Sequence, residues 1–197
     1  MTLRLAALAC LLTLLTACAS SAPPLTYYRL GAPTMIGAAT VDERLPALVL
    51  ERVTLADYLA QPGLVLQQGT YQLQVSRQHL WAESLDVALP QALLAALRDA
   101  STNYRYFLRG NDFVPAAGYG LRVHFDGFHT TDGGEVVASG RYQLVASTDG
   151  RELANRRFAL RRDLRANGYP EVVSQLDALL DELAAMLVAD MDGVIAR

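Results

Sequence analysis

Leu121-Arg122-Val123-His124-Phe125-Asp126 alternates apolar and polar side chains, and two runs of related character follow it, Val136 to Ser147 and Leu153 to Leu160. A period of two marks a strand with one face buried and one face wet. Asp132-Gly133-Gly134 turns the chain after the first run, and Asp149-Gly150 is a two-residue hairpin signal after the second. The three runs predict an antiparallel meander. Leu121, Val123 and Phe125 share one face of its first strand, Tyr142 and Leu144 one face of its second, and Phe158 and Leu160 lie opposite Arg157 and Arg161 on its third.

On either side of the meander the period lengthens to that of a helix. Leu85, Leu89, Leu93 and Leu97, flanked by Ala88, Ala92 and Ala96, fall on one stripe after a plausible N-cap at Ser84. Pro90 opposes this helix, because a proline past the first turn costs about 3 kcal/mol; the helix is expected to begin near Val87 or to kink. Ser101-Thr102-Asn103 ends it. Tyr169-Pro170 opens a last helix with an apolar stripe of Val172, Val173, Leu176, Leu179, Leu180, Leu183, Met186 and Leu187. Both stripes must be buried against a sheet face. The fold class is therefore α+β, an antiparallel or mixed sheet with a meander in its C-terminal half and two long helices on one face.

Upstream, short strands are predicted at Tyr27 to Leu30, Leu48 to Leu55, Leu64 to Leu66, Tyr71 to Val75 and Tyr104 to Arg109, with residues 31–46 and 110–118 as loops. Strict alternation would put Leu48, Leu50 and Arg52 on one face and Val49, Glu51 and Val53 on the other, and would turn Tyr71, Leu73 and Val75 inward.

The N-terminus carries an address. Arg4 precedes an eleven-residue h-region, Leu5 to Leu15, too short for a bilayer span of roughly 20 residues. Leu15-Thr16-Ala17-Cys18 resembles the bacterial lipobox, which implies cleavage before Cys18 and acylation of its thiol and new amino group. Residues 1–17 are then a signal peptide, 18–26 a lipidated linker with a Pro-Pro pair, and 27–197 a single periplasmic domain. Residue 19 is Ala and not Asp, which in the lipoprotein sorting rule implies the outer membrane. Cys10 leaves with the leader, so the mature chain has no disulfide and relies on its core. Two or more acyl chains hold a protein stably to outer-membrane lipid.

Composition excludes more than it assigns. The chain is 52% hydrophobic and 19% charged with a net charge of −3, so no basic excess points to nucleic acid. All 17 basic residues are arginine. The three histidines, His79, His124 and His129, form no metal-ligand pattern; His124 and His129 are five apart on one strand and are expected to point to opposite faces. No nucleophile elbow, zinc-protease motif or phosphate-cradling loop is present, so no catalytic residue, cofactor or metal is assigned. Glu83 and Asp86 flank a helix start, where carboxylates complement the dipole. Trp81 is expected to anchor helix to sheet. Arg151, Arg156, Arg157, Arg161, Arg162 and Arg165 make a local basic excess, in which Arg157 and Arg161 share a face. That face is either a solvated surface blunting an edge strand or a contact for an acidic partner or lipid phosphates.

Residues 49–59 continue through Gln61-Pro62-Gly63-Leu64-Val65, and Trp81-Ala82-Glu83-Ser84-Leu85 leads into the Leu-rich helix. With the lipobox and Tyr27-Tyr28-Arg29-Leu30, this pattern resembles the PqiC/YmbA-type family of ABC-transport auxiliary lipoproteins over essentially the whole mature chain. Val-x-Leu-x-x-Tyr-Leu at 53–59 and Trp-Ala-Glu-x-Leu at 81–85 are its most specific parts. Ser84 stands where many members carry Pro, and Pro90 is unusual. The resemblance implies a non-catalytic outer-membrane lipoprotein facing the periplasm and working in intermembrane phospholipid transport beside an MCE-domain partner. Because MCE proteins assemble as rings, it also implies that the lipoprotein could be a homo-oligomer. An envelope assembly factor, of the lipopolysaccharide-export type, or an enzyme activator is the alternative.

Overall fold

The computed structural model describes residues 23–31, 42–110, 114–115 and 117–195. Cys18, the leader, most of the linker and residues 32–41 of the first loop lie outside them. Strands β1 (Thr26–Tyr28), β2 (Ala47–Leu55), β3 (Gly63–Gln68), β4 (Gln72–Trp81), β5 (Arg105–Leu108), β6 (Tyr119–Thr131), β7 (Glu135–Ala146) and β8 (Glu152–Asp163) form one mixed sheet. Helix α1 (Leu85–Ala100) follows β4, and helix α2 (Tyr169–Ile195) closes the chain. The fold is α+β, as predicted.

The meander β6-β7-β8 forms with antiparallel pairing throughout. Its second turn is longer than Asp149-Gly150 alone suggests: β7 ends at Ala146 and β8 begins at Glu152, with Gly150 at a φ of 71°. The other edge of β6 is shared. Its first half pairs in parallel with β2, and its end pairs in parallel with β3. Between these two, a 3-10 turn at Asp57–Leu59 passes beside Asp126, where the Tyr58 hydroxyl donates to the Asp126 carbonyl at 2.9 Å. β5 extends the sheet beyond β2, and β4 and β1 extend it beyond β3.

Two bulges correct the strict alternation. The β2–β6 register shifts between Leu50 and Arg52. Leu50 lies opposite Leu121, whereas Val53 and Leu55 lie opposite Val123 and Phe125, so Arg52 is on the face away from Leu50. The β6–β7 register shifts between Phe125 and Gly127. Phe125 and Phe128 are three apart yet both lie in the core, in edge-to-face contact at 5.8 Å. The same shift puts His124 and His129 on one outer face, contrary to the parity argument. Each bulge adds one residue and so reverses the phase downstream.

The inner face is covered by both helices. Leu85, Leu89, Leu93 and Leu97 of α1 are at most 2% exposed. Each such burial is worth about 1.5–3 kcal/mol, and four outweigh the cost of about 3 for a mid-helix proline. Helix α1 therefore starts at Leu85 and runs through Pro90, and Asp86, whose carbonyl loses its partner, faces solvent. Ser84 occupies the N-cap position without a side-chain cap bond. Helix α2 is tied to the sheet through Asp190, which accepts from the Tyr142 hydroxyl and pairs with Arg156 at 2.7 Å. Burial and then this carboxylate raise the Tyr142 pKa. Trp81 is buried in the core, as expected.

The β3–β4 hairpin contradicts its predicted orientation. Tyr71 is 96% exposed, Leu73 42% and Val75 38%. Alternation shows that a strand has an apolar side, and here that side lies beyond the reach of both helices.

Candidate functional site

On the outer face of the sheet, the register aligns side chains from four strands into two rows. Arg52, Arg122, Gln143 and Asn155 form the first, and Thr54, His124, Arg141 and Arg157 the second. Neither row contains an acidic residue. Arg52 stands directly opposite Arg122, and Arg141 directly opposite Arg157. Like charges in such positions destabilise a sheet. Arg52, Thr54, Arg122, His124, Arg141, Gln143 and Asn155 line an open groove of about 230 Å³.

The nearest acids are already engaged. Glu51 takes Arg122 at 2.7 Å and Arg109 at 3.1 Å, one on each oxygen. Asp126 sits 3.2 Å from His124 Nε2, and the Nδ1 of that ring is 2.7 Å from the Thr54 hydroxyl. Glu152 accepts from the Gln143 and Asn155 amides, and Gln143 in turn accepts from Arg122 at 3.2 Å. The side chains of Arg52, Arg141 and Arg157 make no hydrogen bond or ion pair among the described residues.

Arg157 and Arg161 do share the outer face of the edge strand β8. Arg157 joins the second row, whereas Arg161 lies opposite Val137 and pairs with Glu135 at 3.1 Å in an exposed bridge. The basic excess around them divides by parity: Arg156 reaches Asp190, and Arg162 reaches Gln175 and Glu182 of α2. Glu83 and Asp86 are exposed at the start of α1.

The histidines serve three separate places. His79 stacks on Tyr169 with ring centres 3.7 Å apart and bonds Tyr28 at 3.0 Å. His124 borders the groove. His129, only 7% exposed, lies between the Tyr58 hydroxyl at 3.2 Å and the Gln67 amide oxygen at 2.8 Å. Burial, and secondarily Arg161, lowers its pKa. Among the described residues, no group of three His, Cys, Asp or Glu side chains could hold a metal, and no helix is long and apolar enough to cross a membrane.

Arg52, Arg122 and Arg141 were not singled out by the sequence pattern. Each is an ordinary polar residue between apolar ones, and they converge only through a bulge and a parallel pairing of residues about 70 apart in sequence, Arg52 with Arg122. One outward arginine on each of four strands, Arg52, Arg122, Arg141 and Arg157, is the one signal that was available.

Residues 28–188 match the family described as ABC-type transport auxiliary lipoprotein component. The chain is 28% identical over 177 residues to the intermembrane transport lipoprotein PqiC of Escherichia coli K12, covering 90% of this chain and 91% of that protein. A crystal structure of an uncharacterized protein superposes with a TM-score of 0.71 at 26% identity, covering 86% of this chain and 99% of the other. A Xanthomonas campestris protein shares the fold with a TM-score of 0.62 at 18% identity, over 86% and 93% of the two chains.

Proposed function

The chain belongs to the family of ABC-type transport auxiliary lipoprotein components, and from that premise we propose that it is the non-catalytic, outer-membrane-anchored member of an intermembrane phospholipid transport system. The observation that carries this reading is the family match across residues 28–188, which takes in nearly the whole sheet and both helices. The printed name of the E. coli relative, an intermembrane transport lipoprotein, supports the same role.

In this reading Cys18 is the acylated N-terminus, residues 1–17 are removed, 18–26 tether, and 27–197 face the periplasm as one domain. Two or more acyl chains supply a stable anchor. The partner is an MCE-domain protein whose conduit ends at this lipoprotein. A ring-shaped partner favours a closed homo-oligomer of the lipoprotein, since matching rotational symmetry lets each copy make the same contact. Arg157 and Arg161 are the proposed contact, because arginine forks pair with carboxylates in two parallel bonds.

Affinity capture of the tagged full chain from cross-linked envelopes tests the assignment. An MCE-domain protein and its permease should be enriched. Enrichment of envelope assembly or lipopolysaccharide-export components in their place would overturn it.

A further inference from the structure

The two rows of the outer face pose an electrostatic problem that the fold alone does not solve. Four arginines and a histidine stand on four adjacent strands, two arginine pairs are directly opposed, and the chain as a whole carries −3. Strand register is set by the inner face, so outer positions are free to carry any polar residue. Nothing in packing requires arginine at 52, 122 and 141 together.

Three guanidinium groups border the groove. Arg122 is held by Glu51 and Gln143, so its position is preset. Arg52 and Arg141, on the strands either side of β6, keep their five N–H donors each unused among the described residues. The Thr54 hydroxyl and His124 lie between them. A carboxylate offers two oxygens in one plane and is satisfied by one guanidinium fork. A tetrahedral phosphate presents oxygens in several directions and suits forks arriving from three strands. The groove, at about 230 Å³, has room for a phosphate and a short substituent and is open to solvent on one side.

We propose that the groove between Arg52, Arg122 and Arg141 binds a phosphate group, with Arg122 as the fixed donor and Arg52 and Arg141 closing on the anion. Only the source of the phosphate rests on the transport role proposed above: a phospholipid headgroup supplies a phosphodiester there, and free phosphate supplies the same oxygens without a substituent.

The test is calorimetric titration of the detergent-solubilised full chain with glycerophosphoglycerol, inorganic phosphate and a short polyglutamate peptide. Glycerophosphoglycerol is a deacylated headgroup that does not enter micelles. Saturable binding of the diester, weakened at least tenfold (about 1.4 kcal/mol) in the Arg52→Gln/Arg141→Gln variant, supports the site. Arg29→Gln/Arg77→Gln removes two exposed arginines elsewhere that have no side-chain partner among the described residues, and should change affinity less than about twofold, or about 0.4 kcal/mol. The groove variant should melt no lower than the parent, because it relieves two like-charge pairs. Tighter binding of the diester than of inorganic phosphate assigns the site to a headgroup, and the reverse order assigns it to free phosphate; both uphold the phosphate site. Binding of polyglutamate alone would overturn the proposal in favour of an acidic protein surface. Absence of phosphate binding, or binding unchanged in the groove variant, would overturn it while leaving capture of the MCE partner unaffected.

Discussion

Gly140→Ala tests the joint on which both sheet faces depend. Gly140 lies opposite Phe125, one residue before the β6 bulge, and is followed by Arg141 of the groove. A Cβ built there falls 1.9 Å from the His124 carbonyl oxygen and 2.9 Å from the Phe158 ring. Real Cβ contacts essentially never fall below 3.0 Å, so the strands must part by about 1 Å. Phe158 cannot yield easily, because it is 5% exposed and packs edge-to-face on Phe125 at 5.5 Å. Overpacking costs about 1–3 kcal/mol, and one or two weakened ladder bonds add about 0.5–1.5 each, which gives about 1.5–6 kcal/mol. For a domain of this size each kcal/mol moves the midpoint by about 2–4 °C, so a drop of about 3–24 °C is expected. Urea and thermal melts followed by circular dichroism measure it. Gly193→Ala is the control: a Cβ there meets nothing within 4 Å inside α2, and alanine favours a helix by up to about 1 kcal/mol. A Gly140→Ala variant within about 0.5 kcal/mol of the parent, the range of ordinary surface changes, would refute the close approach of β6 and β7.

Cys18→Ser should leave an uncleaved or soluble form missing from outer-membrane fractions, and normal partitioning of that variant would end the lipoprotein reading. Arg157→Glu/Arg161→Glu should weaken capture of the MCE partner with an unchanged circular dichroism spectrum; undiminished capture removes this face as the contact. His129 has a pKa below its usual 6.5, so the unfolded chain binds the extra proton first. Its contribution to stability is complete above pH 6.5 and is lost as pH falls from there towards the folded-state pKa. Urea melts across that interval should show a loss that His129→Gln reduces, and equal pH dependence of the two proteins would contradict it.

What was legible in the chain follows from how local each signal is. The meander and both helix stripes need only neighbours in sequence, and residues such as Leu121, Tyr142 and Leu89 are buried as their periods require. The bulges at 51 and 126 were hidden because one inserted residue leaves composition unchanged while reversing every later side chain. Parity therefore misplaced Arg52 and the relation of His124 to His129. Tyr71, Leu73 and Val75 were misread because alternation does not say whether anything covers the apolar side. The groove needed all of this at once: β2 pairs with β6 only after the α1 helix and β5 have intervened. Arg157 was legible as an outward residue, but its alignment with Arg141 and His124 was not.

Transport itself measures the proposed role of the anchored lipoprotein. In a two-vesicle assay, donor vesicles carry the permease and MCE partner with labelled phospholipid, and acceptor vesicles carry this lipoprotein through its acylated Cys18. Label should reach the acceptors at a rate that falls to background when the lipoprotein is omitted or replaced by Cys18→Ser. Equal transfer with and without the anchored chain would contradict it.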